Sequence, residues 1–436
     1  MKKATFLLVG IFAASVAAAE TGVDAHTLDQ TIRYGLEHNA RVRSSRTDIE
    51  IERSGIRAAQ ADRMPRLDLY GGVTKYHYPT AAEPLYGTPP DIHYPSAFYT
   101  TVYDAGVTFS LPLYRGGRLS RSVEIAEIRK SIAEDLYSMT RQELVYNLTS
   151  AYYKILQIEK FSGANDETVK QLEAHKRDVE LLLRAGTVAK VDLLKTETEL
   201  AHARQAALIS RNNLESAYEL LRVLMGIEDM HKKIKLAPDP GAVKSYASVD
   251  ESMQSALRKR PDYQAALKKV TIADVRVKVA AGRRYPSLNL TGDYSEKSGP
   301  EYEWQENWFF GLRLSLPLFE GGALSADVGR ARAEALKARE EERALRLDIS
   351  REVRDAYLSI ENAAKRIEVA EKAIASAKES ARIEQIRYKA GAGTSTDVID
   401  AQTALLRAET DYYQALYDKA IARALLRKAA GEELQE

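Results

Sequence analysis

The sequence predicts an α+β membrane protein made of two internal repeats, each joining an amphipathic β-hairpin to helices longer than a domain is wide. Three observations carry that prediction. The segment Ser-Leu-Pro-Leu-Tyr-Arg-Gly-Gly at 110–117 returns as Ser-Leu-Pro-Leu-Phe-Glu-Gly-Gly at 315–322, an offset of 205. Apolar and polar residues alternate on both sides of a gap in each copy. From Gly117 to Ala185 the only helix-weakening spot is Ser162-Gly163.

Composition narrows the class. The chain has 436 residues, 45% hydrophobic and 29% charged, with 63 Lys+Arg against 62 Asp+Glu. A nucleic-acid binder would carry a basic excess and a disordered chain fewer apolar residues, so neither class fits. Cysteine is absent, which excludes a disulfide framework, a thiolate zinc site, a catalytic thiol and a lipidated N-terminal Cys.

Residues 1–19 begin with Lys2 and Lys3, continue through an apolar run from Phe6 to Val16 and end in Ala17-Ala18-Ala19. This is the pattern of a cleavable signal peptide. No later stretch has 18 consecutive apolar residues, so no transmembrane helix is expected. An exported chain of this kind is either free in a periplasm or medium or held in a membrane as a β-barrel.

The first repeat, 20–226, reads helix, strand hairpin, long helix, turn and helix. In its hairpin, about 65–113, Leu67, Leu69 and Val73 alternate with Arg66, Asp68 and Thr74; Val107, Phe109, Leu111 and Leu113 alternate with Thr108 and Ser110. Arg63-Met64-Pro65 matches Arg284-Tyr285-Pro286 at an offset of 221, so the first hairpin carries an excess of 221 − 205 = 16 residues. Pro79, Pro84, Pro89, Pro90 and Pro95 fall there and predict a long loop, because proline has no N–H to give a ladder. The helix that follows, about 68 residues at 1.5 Å rise, is on the order of 100 Å long. Val169, Leu172, Lys176, Val179 and Leu183 step along it by three and four, which is coiled-coil spacing. A tip turn is expected at about 185–191, and a linker at 227–247.

The second repeat, 248–431, follows the same order, with a tail at 432–436. Its hairpin, about 286–319, sets Leu288 and Leu290 against Asn289, Thr291 and Asp293, then Phe310, Leu312, Leu314, Leu316 and Leu318 against Gly311, Arg313 and Ser315. Ile367, Ala370, Ile374 and Ala377 repeat the coiled-coil step, and a tip turn is expected at about 390–396. Each alternating run is about ten residues, the length of a tilted outer-membrane strand. Trp304, Trp308, Tyr70, Tyr76, Tyr78, Tyr99, Tyr103 and Tyr294 lie in or beside the hairpins, as aromatic residues do at a membrane interface. Two ordinary hairpins of a soluble sheet would alternate in the same way, but a helix of about 100 Å runs away from a four-stranded sheet instead of covering it. An open sheet edge cannot face lipid, and closed bacterial barrels start at eight strands. At least two chains must therefore share a barrel.

The repeat, its tips and its corners resemble the TolC family of outer-membrane efflux and secretion channels over residues 27–431. The most specific stretch is Tyr388-Lys-Ala-Gly391-Ala-Gly-Thr-Ser-Thr-Asp397-Val-Ile-Asp400-Ala, with Arg184-Ala-Gly186-Thr187-Val-Ala-Lys-Val-Asp192-Leu-Leu as a weaker copy. The resemblance implies a homotrimer in the outer membrane of a Gram-negative bacterium. Its fold would be a trimer-shared 12-stranded β-barrel continued by a long α-helical coiled-coil tunnel in the periplasm. It also implies partners: a periplasmic adaptor, an inner-membrane transporter and outer-membrane lipid, but no nucleic acid. Substrate choice is expected to rest with the transporter.

Residue by residue, Asp397 and Asp400 match the family's acidic ring at the periplasmic aperture. Asp192 and Tyr388 match positions that hold it shut. Gly186, Thr187, Gly391, Gly393 and Thr394 lie in the tips, where the family meets its adaptor. Gly393 is a departure, since the family prototype has an Arg there and Val188 supplies none in the first copy. Each residue also has a purely local reading. Glycines end helices in the left-handed conformation; Asp192 and Asp397 cap the next helix, Asp397 with Asp400 resembling a capping box; Tyr388 packs.

No phosphate-binding turn or nucleophile elbow is present, and the seven histidines show no metal-ligand spacing, so neither an enzyme, a cofactor nor a metal is expected. A periplasmic coiled-coil adaptor or a structural coiled coil would share the long helices. The adaptor would normally lack the doubled hairpins, and the structural coiled coil would lack strands altogether.

Overall fold

The computed structural model describes residues 25–81, 98–229, 231, 233–238, 248–300 and 304–432. The expected signal peptide and Pro84, Pro89, Pro90 and Pro95 lie outside these. In chain order the elements are β1 (Ala25–His26), α1 (Leu28–His38), α2 (Ala40–Ala61), β2 (Arg66–Ala81), β3 (Phe98–Arg115), α3 (Arg118–Arg184), α4 (Lys190–Met225), β4 (Lys235–Leu236), α5 (Val249–Lys259), α6 (Pro261–Gly282), β5 (Ser287–Ser298), β6 (Gln305–Ser315), α7 (Ala323–Lys389) and α8 (Ser395–Ala429). The order helix, helix, strand, strand, long helix, helix occurs in each half.

The helix expected before each hairpin is two. Asn39 and Arg260 both sit in extended conformation between consecutive helices. Asn39 caps α2 through its side chain, which accepts from the N–H groups of Arg41 and Val42, and its amide donates to the Leu224 carbonyl. Arg260 precedes Pro261, which disfavours a helical residue before it. Its buried guanidinium binds Asp262 at 2.7 Å and Glu352 at 2.6 Å. The breaks fold α1 and α5 back onto the cores around Tyr152 and Ile349. Within the stretch expected as linker, β4 pairs in parallel with β1, and Tyr152 donates to the carbonyls of His26 and Ala237 at 3.2 and 2.6 Å.

The four hairpin strands form one antiparallel sheet in the order β2-β3-β5-β6. Strand β2 continues through Pro79 to Ala81, against the expectation of a loop there, because the register shifts between Lys75 and Thr80 and the ladder skips the proline. Conversely, β6 ends at Ser315, short of Leu316 and Leu318: Pro317 has no N–H to extend it. Pro112 survives within β3 beside a second register shift, between Pro112 and Tyr114. Both Gly-Gly corners turn strand into helix through left-handed residues, Gly116 and Gly117 at φ 62° and 73°, Gly321 and Gly322 at 57° and 88°.

The long helices α3 and α7 have 67 residues each, about 100 Å. Helix α3 pairs with α4 and α7 with α8, and α3 also packs on α8. The buried seam of α3 near its end runs Leu172, His175, Val179; Lys176, expected in that seam, instead reaches Glu197 of α4 at 2.7 Å. A three-or-four step admits either residue, and the neutral imidazole loses less on burial than an ammonium.

Candidate functional site

The two faces of the sheet differ in kind. Register places Leu69, Val107, Tyr294 and Trp308 in one row, Leu67, Phe109, Gly292 and Phe310 in the next, then Leu111, Leu290 and Leu312, then Leu288 and Leu314. Much of this apolar face is open, Leu69 at 83% and Trp308 at 68% exposure. From Leu288 to Tyr294 it spans about 20 Å along the strand, and exposed Leu316, Leu318 and Phe319 continue it at the helix end. The next row beyond Tyr294 and Trp308 holds Glu296 and Glu306, both within 3.4 Å of the Tyr294 hydroxyl. An apolar band ending in aromatic and then charged residues is the profile of a membrane-facing wall. The opposite face carries Arg66, Asp68, Tyr70, Asp104, Asn289, Asp293 and Arg313.

At the far end of the helices lie the two tips. Both long helices stop by the same device. Thr187 N–H donates to the Leu182 carbonyl and Gly186 N–H to that of Leu183; Ala392 N–H donates to Arg387 and Gly391 N–H to Tyr388. Gly186 and Gly391 each have φ 72° and open space around a would-be Cβ. The Thr187 hydroxyl adds a bond to the Leu182 carbonyl at 2.9 Å.

The tips differ in how the next helix begins. Thr394 and Asp397 form a reciprocal capping box: Asp397 N–H donates to Thr394 Oγ1 at 3.1 Å and Thr394 N–H donates to Asp397 Oδ2 at 2.8 Å. Those bonds, and then Arg387, hold the Asp397 carboxyl below the usual range. Asp400, expected as its capping partner, stands exposed one turn on. In the first copy Ala189 takes the place of Thr394, so α4 has no side-chain cap and Asp192 does not act as one. Asp192 instead lies near Tyr388, whose hydroxyl is pushed up by burial first and by Asp192 and Asp178 second.

Tyr388 is 3% exposed and packs with Val179 and Val398, backed by Leu182, Val188 and Leu193. Its hydroxyl is shielded from solvent and has no hydrogen-bond partner among the described residues. Beside it His175 meets the ring edge-on at 4.8 Å and bonds Ser395 Oγ through Nε2 at 2.8 Å; Ser395 in turn bonds Thr196 at 3.1 Å. Burial lowers the His175 pKa. Residues from all four helices thus meet in one buried polar knot, strengthened by Lys389 and Asp178 at 3.3 Å. Sequence reasoning missed His175, Thr196 and Ser395; the 3-4 spacing from Leu172 to Val179 contains the signal for His175. It also missed Arg387, which donates to the Ala392 carbonyl and brings positive charge to Asp397, while a Cβ on Gly393 would crowd Arg387 at 3.3 Å.

Residues 32–227 and 252–432 match the family described as Outer membrane efflux protein. Outer membrane protein TolC of Vibrio cholerae is 25% identical over 341 residues, 75% of this chain and 76% of that one. Nodulation protein T of Rhizobium leguminosarum is 22% identical over 424 residues, 96% and 88% of the two chains. Among solved structures, the outer-membrane channel OprN superposes with a TM-score of 0.79 at 20% identity, covering 93% of this chain and 89% of its own. The CmeC outer membrane channel of Campylobacter jejuni gives 0.78 at 19%, covering 94% and 87%. The fold of this chain is that of these channels. With residues 32–227 and 252–432 both matched, the chain belongs to the outer membrane efflux protein family.

Proposed function

We propose that this protein is the outer-membrane channel-tunnel of a tripartite efflux pump or type I secretion system. Three copies supply four strands each to a 12-stranded barrel, and their helices continue it as a periplasmic tunnel. The observation that carries this is the open sheet itself: β2 and β6 are edges, and among the described residues much of the apolar face is exposed. In lipid such edges must close on another chain. The helices support the same closure. Helix α6 packs on both α3 and α7, and α2 packs on α3, so a neighbour's α7 would complete the pattern around α2. Along α7, Leu336, Leu347, Leu358 and Val369 stand 60–68% exposed at intervals of 11 residues, the stripe of a nearly straight coiled coil awaiting a partner. The family match and the four-stranded sheet favour this over a coiled-coil adaptor or structural protein.

In this reading residues 1–19 are a signal peptide, 20–226 and 248–431 the two repeats and 227–247 their linker. Asp192, Tyr388, Asp397 and Asp400 surround the periplasmic aperture, and Gly186, Thr187, Gly391, Gly393 and Thr394 face the adaptor that links the channel to an inner-membrane transporter. The signal-cleaved protein in detergent should weigh as three chains; a stable monomer that inserts into lipid overturns the proposal. Asp397→Asn with Asp400→Asn should weaken cation preference and divalent block of single-channel current if the carboxylates line the aperture. Unchanged block assigns them to the helix ends alone.

A further inference from the structure

The polar face of the sheet changes sign along its length. Toward the hairpin loops, one row holds Asp68, Thr108, Asp293 and Phe309, and another holds Gly72, Asp104, Lys297 and Gln305. Toward the helices the rows hold Pro112, Asn289 and Arg313, then Arg115, Ser287 and Ser315. Arg115 donates from Nε and Nη2 to Asn289 Oδ1 at 3.4 and 3.3 Å. Arg313, exposed, sits across from Asn289 on the next strand. Strands β3 and β6 flank β5, so the two arginine backbones are roughly 10 Å apart with the amide between them.

No carboxylate is within ion-pair distance of Arg115 or Arg313 among the described residues. Asp293 is four residues along β5 from Asn289, roughly 14 Å, beyond the Debye length of about 8 Å at physiological salt. Glu320 and Asp327, which follow the sheet, are bound by Arg283. The single acid of β2, Asp68, is paired with Arg66 at 2.8 Å, so the edge that would close on β6 brings no free carboxylate to this level. Next door, Arg118 at the start of α3 has its pKa lowered by burial first and then by the positive charges of Arg115 and Arg283. The barrel–helix junction is thus a place of uncompensated positive charge.

We propose that Arg115, Asn289 and Arg313 form an anion-binding station on the lumen wall, taking phosphate- or carboxylate-bearing organic anions in transit. The inference rests on the reading of the sheet as one third of a closed barrel, where three copies put six guanidinium groups in one belt. Guanidinium binds such groups through paired N–H donors, and Asn289 holds the Arg115 fork in place. Open water on the lumen side keeps binding weak enough for release, as conduction requires.

The test is single-channel current in a planar bilayer with inorganic triphosphate added on the hairpin-loop side. Wild type should be blocked, and Arg115→Gln with Arg313→Gln should raise the half-blocking concentration at least tenfold and move the reversal potential in a salt gradient toward cations. Arg115→Lys with Arg313→Lys, which keeps the charge and loses the paired donors, should block less than wild type and more than the double Gln variant. Detergent mass and current without triphosphate are measured for each variant. Three chains and steady current with no block of wild type, or equal block in the double Gln variant, overturn the station and leave the barrel standing. A protein that never forms a conducting trimer overturns both.

Discussion

Tyr388 offers a sharp test of how the tips are held. Its ring fills the space between Val179, Val398 and His175, while its hydroxyl is buried without a hydrogen-bond partner among the described residues. Removing only the hydroxyl, Tyr388→Phe, therefore removes a buried unsatisfied group whose presence costs about 1–3 kcal/mol. Removing the ring, Tyr388→Ala, opens a cavity in a cluster with few other large side chains, and aromatic-to-Ala truncations cost about 3–5 kcal/mol. The two variants should move the tip in opposite directions. Hydrogen exchange is the assay, because the tip can open locally while the sheet stays folded. Amides in 172–200 and 385–402 should exchange no faster than wild type in Tyr388→Phe, and should lose protection by at least two orders of magnitude in Tyr388→Ala. If the Phe variant loses protection as the Ala variant does, the hydroxyl makes a bond that matters and the packing account of Tyr388 is wrong.

The buried imidazole of His175 makes the same knot acid-sensitive. Burial lowers its pKa, Asp178 on its own helix raises it and Lys389 of α7 lowers it, while Tyr388, Ser395 and Thr196 face it uncharged. The opened tip then binds the proton more readily, so protection falls as pH drops below the ordinary imidazole value of about 6.5, by at most about 1.4 kcal/mol per pH unit. His175→Gln should flatten that slope, and an unchanged slope would point to another group. Gly116→Ala places a Cβ 2.1 Å from the Gly282 carbonyl oxygen at φ 62°, whereas Gly186→Ala meets open space. The first should abolish the heat-modifiable migration expected of the proposed trimer. The second should cost only the left-handed penalty of about 1–2 kcal/mol, and equal loss in both would remove the close approach of Gly116 to Gly282 as a packing constraint. Finally, Leu312→Arg should block membrane assembly, at about 2–4 kcal/mol for a lipid-facing cation, while Gly311→Arg, on the other face, should assemble; the reverse outcome would invert the assignment of faces.

Much of the fold is legible in sequence because its signals are local and repeated. Alternation over 67–73, 107–113, 288–293 and 310–315 is strand geometry written directly in side chains, and the doubled Gly-Gly corners demand the left-handed conformation that the structure gives all four glycines. The tips are legible for the same reason at Gly186 and Gly391. The errors fall where a longer-range contact decides. Pro79 stays in strand because a register shift frees it from the ladder; the break at Asn39 depends on a bond to Leu224, 185 residues away.

Periodicity and backbone freedom within a few residues set the plan: four strands of alternating polarity, helices of about 100 Å and glycine-ended turns between them. Contacts between distant segments set which chemistry each position received. Asp397 and Asp192 read alike in sequence, yet Thr394 locks one in a capping box, while the other has no such partner because Ala189 offers no hydroxyl, and its charge acts instead on the buried Tyr388. His175 and Lys176 compete for one seam position, and Ser395, 220 residues further along, settles it in favour of the imidazole. Arg115 and Arg313 become neighbours of Asn289 only once β5 lies between β3 and β6. Spacing along a chain fixes which face a side chain is on; what stands opposite depends on strands and helices far apart in sequence, and burial and charge follow from that encounter.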